Sequence, residues 1–275
     1  MSASAQPVFV LAPGAWHTPD CYRLVQDKLH AQGWETRAVA YPSVGAEPPT
    51  KGAFDDAAAV RAEVQALVDQ GRQVILVGHS YGGLVICEAS KGLGYKQRKA
   101  EGKEGGIVLL VFLAAFVVPK GLSLIKMLGG NPLPWMDFQV RDTPRGLPPT
   151  TNRSLFMTNM AWQGERVYAR TPEEIFYHDV DAELTKGAVS KLQHQSAQVF
   201  RDEATYQAWE DIESMYFFCD DDRALLPFIQ KQMAPMFGAE AITWATTGSH
   251  SPFLAEPDNV VAGLLHGAKE AQKRI

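Results

Sequence analysis

Short apolar runs alternate with longer stretches of mixed polarity along almost the whole chain. Runs at 8–12, 35–40, 73–77 and 107–112 predict β-strands, and two more stand late, at 214–219 and 241–246. Helices are predicted at 18–32, 54–70, 81–90, 225–233 and 252–269, the first opening at a Thr-Pro pair and the second after a Pro- and Gly-rich stretch. The alternation implies an α/β fold, a mostly parallel sheet covered by helices on both faces. The longest apolar run, 107–118, is too short to cross a bilayer. It reads as a central strand buried on both sides that continues into the next loop.

Two segments interrupt this rhythm. Residues 91–106 mix charges with glycines and predict a solvent-exposed extension. Residues 118–211 predict a lid inserted into a core formed by 1–117 and 212–275. Loops at strand ends can be enlarged without disturbing a sheet, and a lid there excludes water from the chemistry below it. The part from 172 to 200 is expected to be helical, with Thr171 as cap and Glu173 and Glu174 in the first turn. The insertion is rich in large apolar side chains, so its candidate pocket residues are Met127, Trp135, Phe156, Met160 and Trp162, with Trp16 and His17 from the loop after the first strand. Adaptable methionines and flat aromatic rings suit a hydrophobic ligand.

Composition narrows the class. At 275 residues and 46% hydrophobic content, one α/β domain with a lid is a reasonable size. A net charge of −5 without a long basic run argues against nucleic acid or an anionic membrane as partner. The first seven residues do not have the pattern of a signal peptide. Three cysteines, Cys21, Cys87 and Cys219, have no framework spacing and are expected to be reduced thiols of a cytoplasmic protein. There is no Walker-type phosphate loop, no H-E-x-x-H and no CxxC pair, so neither a metal nor a cofactor is expected.

The chemistry stands after the third predicted strand. Val74-Ile75-Leu76-Val77 runs directly into Gly78-His79-Ser80-Tyr81-Gly82-Gly83 and then a helix. Strand, G-x-S-x-G and helix together make a nucleophile elbow, which presents a serine hydroxyl on a strained turn over a helix N-terminus. A serine needs a base to take its proton, and the base needs an orienting acid. In this arrangement they follow in the order Ser, acid, His. Asp220-Asp221-Asp222 follows one late strand, and Thr247-Gly248-Ser249-His250 follows the other. His250 alone combines that order with a strand-end setting. His17 and His79 come before or inside the elbow, His30 and His266 fall in predicted outer helices, and His178 and His194 fall in the insertion. Spacing leaves the three aspartates open, since one can orient the imidazole while the others cap the next helix. The Tyr81 N–H is one expected oxyanion donor, and Pro13-Gly14-Ala15-Trp16-His17 is a small-residue loop placed to bring the second.

These segments, with Tyr216 to Pro227 and Thr246 to Leu254, resemble the α/β-hydrolase superfamily. The nearest branch is that of plant methyl-esterases and hydroxynitrile lyases and the similar small hydrolases of fungi and bacteria. The resemblance covers the core and is loose between residues 118 and 211. It implies Asp222 as the acid, from its place before Arg223-Ala224-Leu225-Leu226-Pro227, and Ala15 and Tyr81 as the oxyanion amides. Pro13-Gly14 stands where the branch has His-Gly. Ser251 and Gly14 stand where its hydroxynitrile lyases have lysine and threonine, so the cation that would hold a leaving cyanide is missing. The resulting expectation is a serine hydrolase of a small apolar ester, lactone or related carbonyl compound, working through Ser80, His250 and Asp222. The same triad also serves cyclases, acyltransferases and carbon–carbon lyases, and the fold serves ligand receptors.

Overall fold

The structure, a computed structural model, describes residues 6–139 and 165–275. Its strands are β1 (Val8–Ala12), β2 (Thr36–Ala38), β3 (Gln73–His79), β4 (Gly106–Leu113), β5 (Met136–Gln139), β6 (Arg166–Ala169), β7 (Gln195–Ser196), β8 (Ser214–Cys219) and β9 (Ile242–Thr246). Six of them form a parallel sheet in the order β2-β1-β3-β4-β8-β9. The continuous apolar runs sit at its centre. Every residue of β1 and β4 is buried, and β3 is buried from Val74 onward.

Alternate side chains of β1 serve opposite layers. Val8 and Val10 pack towards helices α2 (Ala53–Val68) and α3 (Gly82–Ser90). Phe9 and Leu11 pack towards α1 (Arg23–Ala31) and the C-terminal helix. The predicted helix over 252–269 is two helices, Pro252–Ala255 and Pro257–Gln272, because the proline at 257 lacks the N–H that would continue the first. The predicted extension at 91–106 is exposed at 91–92, 96 and 99–104, as expected, but is anchored to the core at 93–94, 98 and 105–106. It contains a short helix, Tyr95–Ala100, whose Arg98 is buried and donates to the Val68 and Gly105 carbonyls.

The described part of 118–211 is not wholly helical. Strands β5, β6 and β7 form a small antiparallel sheet beside the short helices Leu124–Met127, Pro172–Ile175 and Ala182–Lys191. Gln195 and Ser196, expected in a helix, pair with Val167 and Arg166. Thr171 makes no side-chain cap and lies in the left-handed region at φ 43°. Asp181 is the residue that caps, accepting from the Glu183 and Leu184 amides. Cys21, Cys87 and Cys219 are free thiols. Among the described residues no helix is long and apolar enough to cross a membrane.

The carboxyl ends of β1, β3, β8 and β9 lie along one edge of the sheet, and they lead to Ala15, Ser80, Asp222 and His250. Open parallel sheets bind ligands outside that edge.

Candidate active site

Ser80 follows β3 with φ 54°, a left-handed conformation that a non-glycine residue adopts at a cost. Its backbone is fixed on both sides. The Ser80 N–H donates to Leu113 at 3.2 Å, and its carbonyl accepts from Gly83 and Phe116 at 3.1 and 3.0 Å. The glycines allow the close approach this needs. A Cβ on Gly78 would stand 2.5 Å from the Gly82 carbonyl oxygen, and one on Gly82 would stand 2.7 Å from that of Pro13. Gly83 is tighter still, since a Cβ there would overlap the Phe116 carbonyl oxygen.

His250 and Asp222 are both buried, and Nδ1 of the imidazole lies 2.7 Å from Asp222 Oδ2. A carboxylate only accepts, so Nδ1 carries the proton and Nε2 is left as the basic nitrogen. Asp222 is saturated with donors. Oδ1 accepts the Ala224 and Leu225 amides, each at 2.8 Å, and Oδ2 also accepts Gln230 Nε2 at 3.0 Å. Gln230 is wholly buried and also brackets the end of β8, donating to the Cys219 carbonyl and accepting from the Cys219 amide. The neighbouring acids turn away. Asp220 lies 3.4 Å from Lys231 and Asp221 3.0 Å from His178, both near solvent.

A narrow pocket adjoins Ser80, with Ala15, Tyr81, Trp16 and Trp135 in its wall. Among the described residues its other walls are Phe116, Leu124, Leu128, Leu133, Met136, Phe200, Ala224 and Leu225, so almost nothing polar faces it. Neither the Ala15 nor the Tyr81 N–H has a hydrogen-bond partner among the described residues. Met127 does not reach the wall, standing at the end of its short helix and packing against the core from outside. His17 is not in the wall either. Its Nδ1 bonds the Ala15 carbonyl at 2.7 Å, and its Nε2 bonds the Tyr177 hydroxyl at 2.8 Å on the far side of the loop. Burial there lowers its pKa to about 4, so it is neutral. A separate cleft of about 130 Å³ opens beyond it, walled by Cys21, Leu184, Lys191 and others, and does not include Ser80. Phe156, Met160 and Trp162 lie outside the described residues. His79, wholly buried, donates from Nε2 to the His250 carbonyl at 2.8 Å, and burial holds its pKa well below the usual value.

Beneath the pocket runs a polar network. Asp56 of α2 is wholly buried and accepts the Ser43 amide at 3.0 Å, the Ser43 hydroxyl at 2.5 Å and the Tyr81 hydroxyl at 2.7 Å. Gln195 donates to Ser43 Oγ and accepts the Trp16 amide at 3.1 Å. The signal in the sequence is an acid on a helix face otherwise built from Ala53, Ala57, Val60 and Val64. Burial, only partly offset by these donors, raises the Asp56 carboxyl from 3.8 to about 6. The folded chain therefore resists an ionisation that the unfolded chain accepts freely. This group's contribution to stability falls as pH rises from about 4 to about 6, by on the order of 3 kcal/mol, and is level above that. Denaturant unfolding at successive pH values should show wild type declining across that window relative to Asp56→Asn. A difference that stays flat from pH 4 to 7 would contradict the shift.

Among the described residues no cluster of His, Cys, Asp or Glu is arranged to hold a metal. The model of the alpha/beta hydrolase family matches residues 9–263. An alpha/beta hydrolase of Aspergillus novofumigatus, nvfD, is 31% identical over 97% of this chain and 98% of its own length. Two solved structures share the fold. A methylesterase from Arabidopsis superposes with a TM-score of 0.71 at 18% identity, covering 96% of this chain and 99% of its own. A pyrethroid hydrolase from Sphingobium faniae superposes with a TM-score of 0.67 at 21% identity, covering 98% and 100%.

Proposed function

The chain belongs to the alpha/beta hydrolase family, and on that premise we propose that it is a serine hydrolase cleaving a small apolar carboxylic ester or lactone through an acyl-enzyme. The observation that carries this reading is the pairing of an apolar pocket at Ser80 with two unpartnered amides, Ala15 and Tyr81, in its wall. Ser80 Oγ attacks the carbonyl carbon while His250 Nε2 takes its proton. Asp222 holds the Nδ1–H and stabilises the imidazolium. The carbonyl oxygen, now negative, is received by the two N–H groups, which have no other partner among the described residues and belong to residues lining a site of low polarity. The imidazolium returns its proton to the leaving alkoxide, and the acyl group stays on Ser80. Water, deprotonated by the same nitrogen, then releases the acid and restores the hydroxyl.

The walls support the substrate class. The side chains of Phe116, Leu124, Leu133, Phe200 and Leu225 offer no hydrogen bond, so an acyl group with polar substituents would lose its water with little compensation. A methylesterase and a pyrethroid hydrolase among proteins of the same fold agree with an ester. An organophosphonate ester should label Ser80 once and remove activity in proportion to labelling. Intact-mass and peptide analysis would check this. Turnover of aryl esters that persists with no adduct on Ser80 would exclude the acyl-enzyme.

A further inference from the structure

One short stretch of the insertion, residues 176–179, touches each of the loops that carry the proposed machinery. Tyr177 reaches the oxyanion loop. Because His17 Nδ1 must donate to the Ala15 carbonyl, Nε2 is the acceptor and the Tyr177 hydroxyl is the donor, at 2.8 Å. His178 reaches the acid loop, with Nε2 at 3.0 Å from Asp221 Oδ2. Asp179 reaches the histidine loop, where Oδ2 accepts the Ser249 amide at 2.7 Å, one residue before His250. The Phe176 carbonyl accepts the Ser249 hydroxyl at 3.0 Å. The Phe176 ring lies against His250, with centroids 5.7 Å apart, and stacks on Trp16 at 5.8 Å.

The oxyanion loop shows what these contacts do. The Ala15 carbonyl and the Trp16 N–H belong to one peptide group. The carbonyl is held through His17 by Tyr177, and the N–H is held by Gln195. Both anchors come from the insertion. Trp16 sits at φ 67°, so the peptide would relax if either were released. The proposed oxyanion donor is the amide of Ala15, the residue whose carbonyl is pinned.

We infer that residues 176–179 are a positioning clasp, and that Tyr177 and Asp179 set the oxyanion loop and His250 in working geometry. The inference rests on the serine-hydrolase reading and deepens it. None of these side chains touches substrate. They act through His17, Ser249 and the loops that follow.

The test compares Tyr177→Phe, Asp179→Ala and Asp179→Asn with wild type and with Ser80→Ala, using an aryl ester and an organophosphonate. Tyr177→Phe removes one hydroxyl and keeps the ring. Asp179→Asn keeps an acceptor oxygen for the Ser249 amide. Expected are losses in kcat on the order of tenfold for Tyr177→Phe and Asp179→Ala with KM nearly unchanged, and near-wild-type kcat for Asp179→Asn. The rate of Ser80 phosphonylation should fall by the same factor, because that probe needs the loops but little of the pocket. Thermal unfolding identifies the folded fraction, to which the rates are normalised. Tyr177→Phe and Asp179→Ala at wild-type kcat and wild-type labelling rate, beside an inactive Ser80→Ala, would overturn the clasp alone. An active Ser80→Ala would remove the serine reading and the clasp with it.

Discussion

Ser80→Ala and His250→Ala are each expected to lose turnover by a factor on the order of 10³ or more, while the fold persists. The first removes the proposed attacking oxygen and the second the proposed general base. The surroundings explain why folding should survive. In His250→Ala the carboxylate of Asp222 keeps the Ala224, Leu225 and Gln230 donors, so it is not left buried and unpaired. The backbone carbonyl of residue 250 still accepts His79 Nε2–H. What is lost is ring packing against His79, whose centroid is 4.5 Å away, and against Phe176. That loss leaves a cavity costing on the order of a few kcal/mol. Ester hydrolysis assayed beside a thermal melt separates the two effects. The double variant should be hardly slower than either single one, because the two residues act in one step. A His250→Ala protein that keeps most of its activity would refute the assignment of the base.

The sheet was legible because most of its strands are short apolar runs, which local composition suffices to mark; β2, Thr36–Ala38, is the exception. β1 and β8 coincide with their predicted spans, and β3 extends two residues further, to His79, bringing the strand up to Ser80. The same legibility covers the order of Ser80, Asp222 and His250, since each follows a strand end. The insertion was less legible for a physical reason. β7 is two residues long, and only its pairing with Arg166 and Val167 defines it, which no local pattern records. Buried polar residues were missed in the same way. Gln195 and Gln230 look like surface residues until the fold surrounds them with partners, as Trp16 and Asp222 do. Arg98 is the sharpest case. A run of charges read as solvated, yet one guanidinium turns inward because the ends of neighbouring elements offer it carbonyl acceptors. Among the pocket candidates, Trp16 and Trp135 reach the wall, whereas His17 lies across the loop from it, because the chain turns at Ala15 and Trp16, with Trp16 at φ 67°, a reversal that no local pattern records.

Asp222→Asn should lower kcat by several orders of magnitude, while Asp220→Asn and Asp221→Asn stay within a few-fold of wild type. The three acids adjoin in sequence but differ in what they touch. Asp220 meets a lysine amine near solvent, where an ion pair contributes little. Asp221 meets His178, one of several contacts that hold the acid and histidine loops, so its amide variant should show a small loss. Asp222 alone reaches the His250 Nδ1, and both side chains are buried. Replacing one of its oxygens by an NH₂ group leaves an amide that can turn either atom towards the ring. The Ala224 and Leu225 amides both donate to Oδ1, and so keep the remaining oxygen on that side. The NH₂ group then faces His250 and donates to Nδ1, which fixes the proton on Nε2. An imidazole in that tautomer cannot accept the Ser80 proton. The same group also faces Gln230 Nε2, which would lose one of its acceptors but keep the Leu225 and Cys219 carbonyls, so at most a small loss of stability should accompany the loss of rate. The pH profile of kcat distinguishes this from simple misfolding. A tautomer block leaves residual activity that rises with hydroxide concentration, whereas a smaller folded fraction scales the whole profile without changing its shape. A large loss in Asp220→Asn or Asp221→Asn, with Asp222→Asn active, would move the acid to a neighbour while leaving Ser80 and His250 in their roles.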